Sequence, residues 1–463
     1  MYELNEVSAK TIDKYCQENP KSSLTRFIRK SSYAPTISND QGELHPWSTW
    51  PTVHRGVTNE KHKITHINQD ISSSNEEYPA IWIDALEKGL SVGIWGSLQS
   101  YPPLGNKRVK FYVPDTFAPD TLAIPKKLRH LQGVNVYATK MGHGNAKLSG
   151  SRELRGKLGE SIVRSILNGT FSKRSLVSAA HQIAREKVND RWIYNRPTLQ
   201  AQLNFDTYYK YLKHSKPDFT TFFTNHIASL QHRLWAYVHD KEGTQEEQID
   251  YRKIFKAGMD EISREIGQLM RASKKYNYDV VLVSSMSQDA IKERCCSLCV
   301  TFQDFNRFRG FFSIPTKLSI QSSMFPDFSF SVADGDKEKY INIFLSLTDE
   351  IGKNIFTLKK SEGGDDKKNG TFFLSQNGDL EVEKGYLFVS GEKTDIKDIG
   401  MQVSRRLPGT AYHVPDGVLY WYSAEESGDL FITGLEKPIS TEKIRKLLEN
   451  HLTNTQTGNN KCV

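Results

Sequence analysis

An α/β fold, with a doubly wound and mostly parallel sheet flanked by helices, is what this sequence predicts, on three observations. Short apolar runs, LSVGIW at 90–95, DFTTFF at 218–223 and YDVVLVSS at 278–285, have the length and residue types of buried strands. Helical patterns lie between them, clearest from Tyr251 to Lys275, where Tyr251, Ile254, Phe255, Met259, Ile262, Ile266 and Met270 recur at spacings of three and four. That helix feeds directly into YDVVLVSS, and strand alternating with helix argues for a parallel sheet covered on both faces. With 463 residues, 37% hydrophobic and 25% charged, the chain has the composition of an ordinary globular protein. We expect one α/β domain over residues 1–463 carrying two insertions.

In chain order, YELNEV predicts a short first strand that hands over to the helix SAKTIDKYCQ. HPWSTWPTVHRG follows, with Ser48 or Thr49 as a natural N-cap and Pro51 tolerated in a first turn. LSVGIW runs into GSLQSYPP, and FYVPD forms the next strand end. From 146 to 212 the pattern is helical and basic, which marks a helical insertion. After YDVVLVSS, the alternating stretches YINIFLSL, GTFFLSQ and GYLFVSG, separated by GGDDKKNG and QNGD, predict an antiparallel β-rich insertion, a cap, over 301–398. GVLYWYS at 417–423 resumes the sheet, a helix at 440–451 closes it, and the polar tail TNTQTGNNKCV is expected to fray.

Charge is localised. Between Asn145 and His214 there are 13 Lys and Arg against 5 Asp and Glu, a surplus of 8 that equals the +8 of the whole chain. Such a stretch suits an anionic glycan, a phospholipid headgroup or a phosphorylated substrate, or is a solvated helical face. It lacks the interleaved aromatics of a nucleic-acid module, so nucleic acid is not the expected partner. No run of about 18 apolar residues predicts a transmembrane segment, and MYELNEVSAK lacks the order of a secretory signal, so a cytoplasmic location is expected. Five cysteines are too few and too scattered for a disulfide framework. Cys295, Cys296 and Cys299 form a lone CxxC without the second pair that a zinc ribbon needs, and we read them as buried helix thiols.

Ligands of doubly wound sheets sit at the carboxyl ends of the strands. Five such ends are polar: Glu3, Asn5 and Glu6 in YELNEV; HPWSTWPTVHRGVTNEKHKI; the helix after DFTTFF, where Asn225, Ser229 and His232 share a stripe that His226 does not; VVLVSSMSQ; and GTAYHVPDG, with His413 just before a strand.

The order of these segments resembles the alkaline phosphatase superfamily, which includes sulfatases, nucleotide pyrophosphatases and cofactor-independent phosphoglycerate mutases. Asn5-Glu6 is similar to that family's Asp-Gly after the first strand. Gly56 to His62 resembles the Gly-x5-His that ends the helix opened by the nucleophile. Asn225 to Ser229 resembles Asp-x-x-Gly-His, Ser285-Met286 resembles Asp-His, and His413 with Gly417 resembles the final His before a Gly and a strand. The resemblance is closer to a branch with LNE, PWxxW and a PD, here Pro114-Asp115.

The resemblance implies two-metal ester chemistry, yet Asn5, Asn225, Ser285 and Met286 stand where the family carries Asp, Asp, Asp and His. Amides and a thioether are poor ligands for hard divalent ions, so the second-metal site is expected to be absent. What remains implied is one divalent ion, zinc or manganese, or none, held by His232, His413 and Glu6, with Asp416 as another source of charge. Thr49 is the implied nucleophile, with Ser48 and Thr52 as alternatives, and a hydroxyl at a helix N-terminus would meet an anion there. Asn5, Gln99, Asn225 and His54 are the implied substrate-binding residues. His62 and Asp115 have structural explanations as good as functional ones, and Trp47, Trp50, Trp95 and Tyr101 are core residues or sugar-stacking rings. The expected function is a hydrolase or transferase acting on a phosphate, sulfate or related ester of a glycan or sugar-nucleotide intermediate, in keeping with polysaccharide biosynthesis. The alternative is an inactive member of the fold that binds an anionic glycan or nucleotide. Oligomeric state is not readable.

Overall fold

The computed structural model describes residues 1–67, 69–141, 152–295, 298–321, 323, 326–333, 336–359, 370–378, 380–382, 385–405, 407, 409–424, 437–457 and 461–462. The chain divides into two compact units, one of Met1–Gln132, Arg164–Lys292 and Thr410–Val463, the other of Gly133–Val163 and Glu293–Gly409. Most of the basic stretch, from Arg164 on, belongs with the first unit, while Gly133–Val163 joins the β-rich residues. Composition sees a local change of character, whereas membership of a unit is decided by contacts between residues distant in sequence.

The elements that position the site in the first unit are β1 (Tyr2–Leu4), α1 (Ala9–Glu18), β2 (Ser32–Ile37), α2 (Pro46–Arg55), β3 (Val92–Trp95), β4 (Val109–Val113), α3 (Arg152–Leu167, of which the end lies in this unit), α4 (Lys173–Val188), α5 (Arg196–Ser215), β5 (Phe219–Thr220), β6 (Phe222–Thr224), α6 (His226–Val238), α7 (Gln245–Tyr276) and β7 (Tyr278–Ser284). Later in the chain come the second unit's strands β8 (Leu318–Gln321), β9 (Asp327–Val332), β10 (Phe356–Lys359) and β11 (Thr371–Gln376), then β12 (Gly409–Val414), β13 (Asp416–Tyr422) and α8 (Glu442–Thr457). The closing helix thus starts two residues later and runs six residues further than expected, into the tail. The rest of the tail falls largely outside the described residues, as does most of the GGDDKKNG turn.

In the main sheet β1 lies between β6 and β7 and is parallel to both, with Tyr2 opposite Phe222 and Leu282. β13 runs antiparallel to β7 and to β2, and a second parallel ladder joins β4, β3 and β5. The sheet is therefore mostly parallel, and its central strands β1, β7 and β13 are buried along nearly their whole length, as strands covered on both faces are. On one face Trp50 and Val53 of α2 and Ile444 and Leu448 of α8 pack with Val281, Val283 and Leu419. On the other, Tyr2 donates to Glu265 of α7 at 2.5 Å. α7 begins in a capping box, Thr244 with Glu247, and ends at Asn277 in the left-handed conformation.

In the second unit β8, β9, β11 and β10 form an antiparallel sheet in that order, the type the alternating stretches predicted. Its core is rich in phenylalanine, with Phe302, Phe328, Phe330, Phe344, Phe356 and Phe372 all buried. Cys299 lies on the strand Leu298–Phe302 rather than on a helix, and Cys296 is outside the described residues.

Candidate functional site

The ends of β1, β6 and β7 bring together residues far apart in sequence. β1 stops at Leu4, and Glu6 then adopts a left-handed backbone with φ 58°. That conformation is natural for glycine and uncommon for any other residue, so its presence at a strand end directs attention to the side chain it aims. Glu6 is 2% exposed. Its Oε1 accepts from Asn5 Nδ2 at 2.7 Å, its Oε2 accepts from Gln288 Nε2, and its carbonyl accepts from Gln231 at 2.8 Å.

Two imidazoles converge on the same carboxylate oxygen. His232 Nε2 is 3.1 Å and His413 Nε2 3.2 Å from Glu6 Oε2. Each ring donates its Nδ1–H to a backbone carbonyl, His232 to Ala411 at 3.0 Å and His413 to Leu44 at 2.6 Å. A carbonyl can only accept, so these bonds fix the tautomer and turn both Nε2 atoms toward Glu6. In a neutral ring that nitrogen is a lone pair, which a carboxylate repels unless a proton or a metal ion lies between them. Metal-binding histidines are held in this way, with the far N–H on a carbonyl. The three side chains are the group among the described residues whose ligand atoms lie within 4.8 Å of one another. Two imidazoles and a carboxylate with open positions suit zinc, manganese or ferrous iron.

The electrostatics agree with the geometry. Burial by itself would raise the Glu6 carboxyl, but the neighbouring His413 and His232 hold it well below the usual carboxylate range. Burial would likewise lower His413, and the Glu6 charge beside it raises it instead. The pair stabilises mutual ionisation when no metal is bound.

Asn5 links this centre to its surroundings. Its Nδ2 donates to Glu6 and, at 2.6 Å, to Asn225 Oδ1, while its Oδ1 accepts from Trp50 Nε1 at 2.7 Å. Asn225 precedes α6, and His232 lies two turns on. His226 faces away, accepting from Thr224 and donating to the Gly258 carbonyl at 3.1 Å.

The hydroxyls of α2 correct the expected picture. Pro46 takes the first helical position and His45 is the N-cap, without a side-chain bond, so neither Ser48 nor Thr49 caps the helix and Pro51 lies inside it. Thr49 stands in the second turn with its N–H already donated to the His45 carbonyl at 2.9 Å, and offers no free helix N-terminus to an anion. Its hydroxyl is fully buried, 2.8 Å from that of Ser285. Thr52 donates to Asp40 at 2.7 Å and lies 3.0 Å from His62, whose burial lowers it to about 3 and keeps it neutral. Ser48 is buried with no hydrogen-bond partner among the described residues.

Two residues expected to bind substrate hydrogen-bond to other parts of the chain in this structure. His54 is 1% exposed and hydrogen-bonds Glu3 at 2.9 Å. Gln99, also left-handed with φ 57°, donates to the His66 carbonyl at 2.6 Å and pins one loop to another. Asp115 is buried and pushed up to about 6 by that burial, against several backbone N–H groups including Phe117. Asp416 stays outside the trio and lines an adjoining cavity of about 270 Å³ with Ser8, Lys10, Thr36, Trp235 and Gln288. Gln288 closes the polar segment VVLVSSMSQ but is not among the expected site residues. It sits just past VVLVSS, the one available signal, but nothing in its spacing marks it as a partner of Glu6.

No family model matches the chain, and no curated protein matches it. Solved structures that resemble it include murine ectonucleotide pyrophosphatase/phosphodiesterase 5, at 10% identity and TM-score 0.40 over 98% of this chain and 94% of that one. Phosphonoacetate hydrolase from Sinorhizobium meliloti 1021 is similar at 8% identity and TM-score 0.38, over 97% and 94%. TAB5 alkaline phosphatase is similar at 9% and 0.37, over 98% and 96%. These likenesses are distant and assign no reaction to the present chain.

Proposed function

We propose that this protein is a one-metal hydrolase or transferase of phosphate, sulfate or related esters, with the ion held by Glu6, His232 and His413. The observation that carries the reading is the convergence of two backbone-oriented Nε2 atoms on one buried carboxylate oxygen. A divalent ion there supplies positive charge for an anionic ester group. The chain's own residues fix the rest. Ala411 and Leu44 set the imidazoles, Gln288 and Asn5 set the carboxylate, and Trp50 sets Asn5. Thr49 and Ser285, sharing a hydrogen bond, are the hydroxyls proposed to accept the transferred group, with Ser48 beside them. A glycan or sugar-nucleotide intermediate is the proposed substrate class, in polysaccharide biosynthesis in the cytoplasm.

The test is metal content by elemental mass spectrometry on the purified protein and on His413→Ala, with hydrolysis of generic phosphate and sulfate esters beside it. About one zinc or manganese per chain, absent from the variant and accompanied by turnover, supports the proposal. Turnover that survives Thr49→Val and stops with Ser48→Ala would move the nucleophile one residue. A metal-free and inactive protein would favour the second reading, an anion-binding member of the fold, for which the buried hydroxyl of Thr49 is the supporting observation.

A further inference from the structure

α4 is built inside out. The side chains it buries are polar: Ser175 is fully buried and bonded to Asp206 at 2.8 Å, and Gln182 is 4% exposed, donating to the Trp192 carbonyl at 2.6 Å. Its large apolar residues face outward instead, with Leu176 37%, Val177 56%, Ile183 58% and Val188 89% exposed. At about 100° per residue these four fall within an arc of about 140° on one side of the helix. Just before it in sequence, Leu167 at the end of α3 is 78% exposed.

A surface helix ordinarily turns its apolar stripe to the core, and an outward stripe marks a face that meets something apolar. The charges on α4 narrow the choice. Lys173, Arg174, Arg185 and Lys187 are exposed, and the helix's single acid, Glu186, is held by Gln182 at 2.8 Å and Arg196 at 2.7 Å. A soluble phosphorylated ligand or a nucleic acid would complement the cations and leave Leu176, Val177, Ile183 and Val188 in water. An anionic lipid surface complements both, because the aliphatic chains enter the headgroup boundary while lysine stems extend their ammonium groups to the phosphates. We propose that α4 docks this protein on an anionic lipid surface.

The experiment is co-sedimentation of the full chain with vesicles of phosphatidylcholine alone and of phosphatidylcholine mixed with phosphatidylglycerol. Binding to the mixed vesicles is expected to be at least about tenfold tighter and to weaken with salt. Replacing Leu176, Val177, Ile183 and Val188 together by Ser is expected to reduce it by about tenfold or more. The melting temperature should hold, since all four residues are exposed. Lys173→Gln with Lys187→Gln should weaken binding by about fivefold per lysine. Two outcomes overturn the proposal: no binding to the mixed vesicles, or equal binding by the four-serine variant. If that variant instead turns a dimer into a monomer by light scattering while neither protein binds lipid, a second copy of the chain covers the face. Binding needs neither metal nor turnover, so this test is independent of the hydrolase reading.

Discussion

A carboxylate carried on a left-handed residue is an uncommon way to build a ligand site. The φ of 58° at Glu6 costs about 1 kcal/mol or more against glycine, so the side chain must be worth retaining. Glu6→Gln keeps the shape and removes the charge that both Nε2 atoms face. Its affinity for added zinc, measured by calorimetry, is expected to fall by more than about tenfold. Glu6→Gly should lose zinc binding as completely while relaxing the backbone, and zinc binding equal to wild type in either variant would remove the trio as a metal site. Much of this centre was legible: Glu6 and His413 stand at polar strand ends, and His232 on the polar stripe of the helix that follows a strand. The sequence could not show that His54 turns to Glu3, nor that Gln288 holds Glu6, because those are contacts across 51 and 282 positions.

At the level of elements, local periodicity located the strands well and helix ends less well. α7 was legible over Tyr251 to Lys275, yet it begins six residues earlier at Gln245, where a capping box rather than an apolar stripe sets the boundary. Ser48 and Thr49 look like caps of α2, whereas proline at the first helical position starts the helix three or four residues sooner. α6 and α7 meet at a point that periodicity never reveals. A Cβ on Gly258 would come within 2.8 Å of both Ile227 Cδ1 and Leu230 Cδ1. Gly258→Ala is therefore expected to destabilise the protein by about 1–3 kcal/mol in urea unfolding. An unchanged midpoint would mean that the two helices part more easily than their packing implies.

For the whole molecule, buried neutral histidines set the response to acid. Burial lowers His62 to about 3 and His226 and His239 to about 4. These folded values lie below that of an unfolded histidine near 6.5, so between them the unfolded chain binds more protons. The stability these groups contribute is complete above about pH 6.5 and drains as pH falls toward 4 and 3, by up to about 1.4 kcal/mol per pH unit for each. Unfolding midpoints should drop steeply from pH 6 to pH 5, and His226→Gln should flatten that slope by about one proton. An unaltered slope would show that His226 is already charged in the folded state. The division of the chain into two units was the least legible feature, since Gly133–Val163 and Glu293–Gly409 associate across more than a hundred residues of intervening chain.

The bond from Asn5 to Glu6 also bears on how such a site can change over generations. Asn5→Asp alone would set a second carboxylate against one already buried at 2.7 Å and would give Asn225 Oδ1 an acceptor where it now has a donor. That single step toward an acidic ligand set is expected to lower stability, and Glu6 would have to go first. An acid at position 5 is thus expected to be tolerated only where position 6 no longer carries a carboxylate.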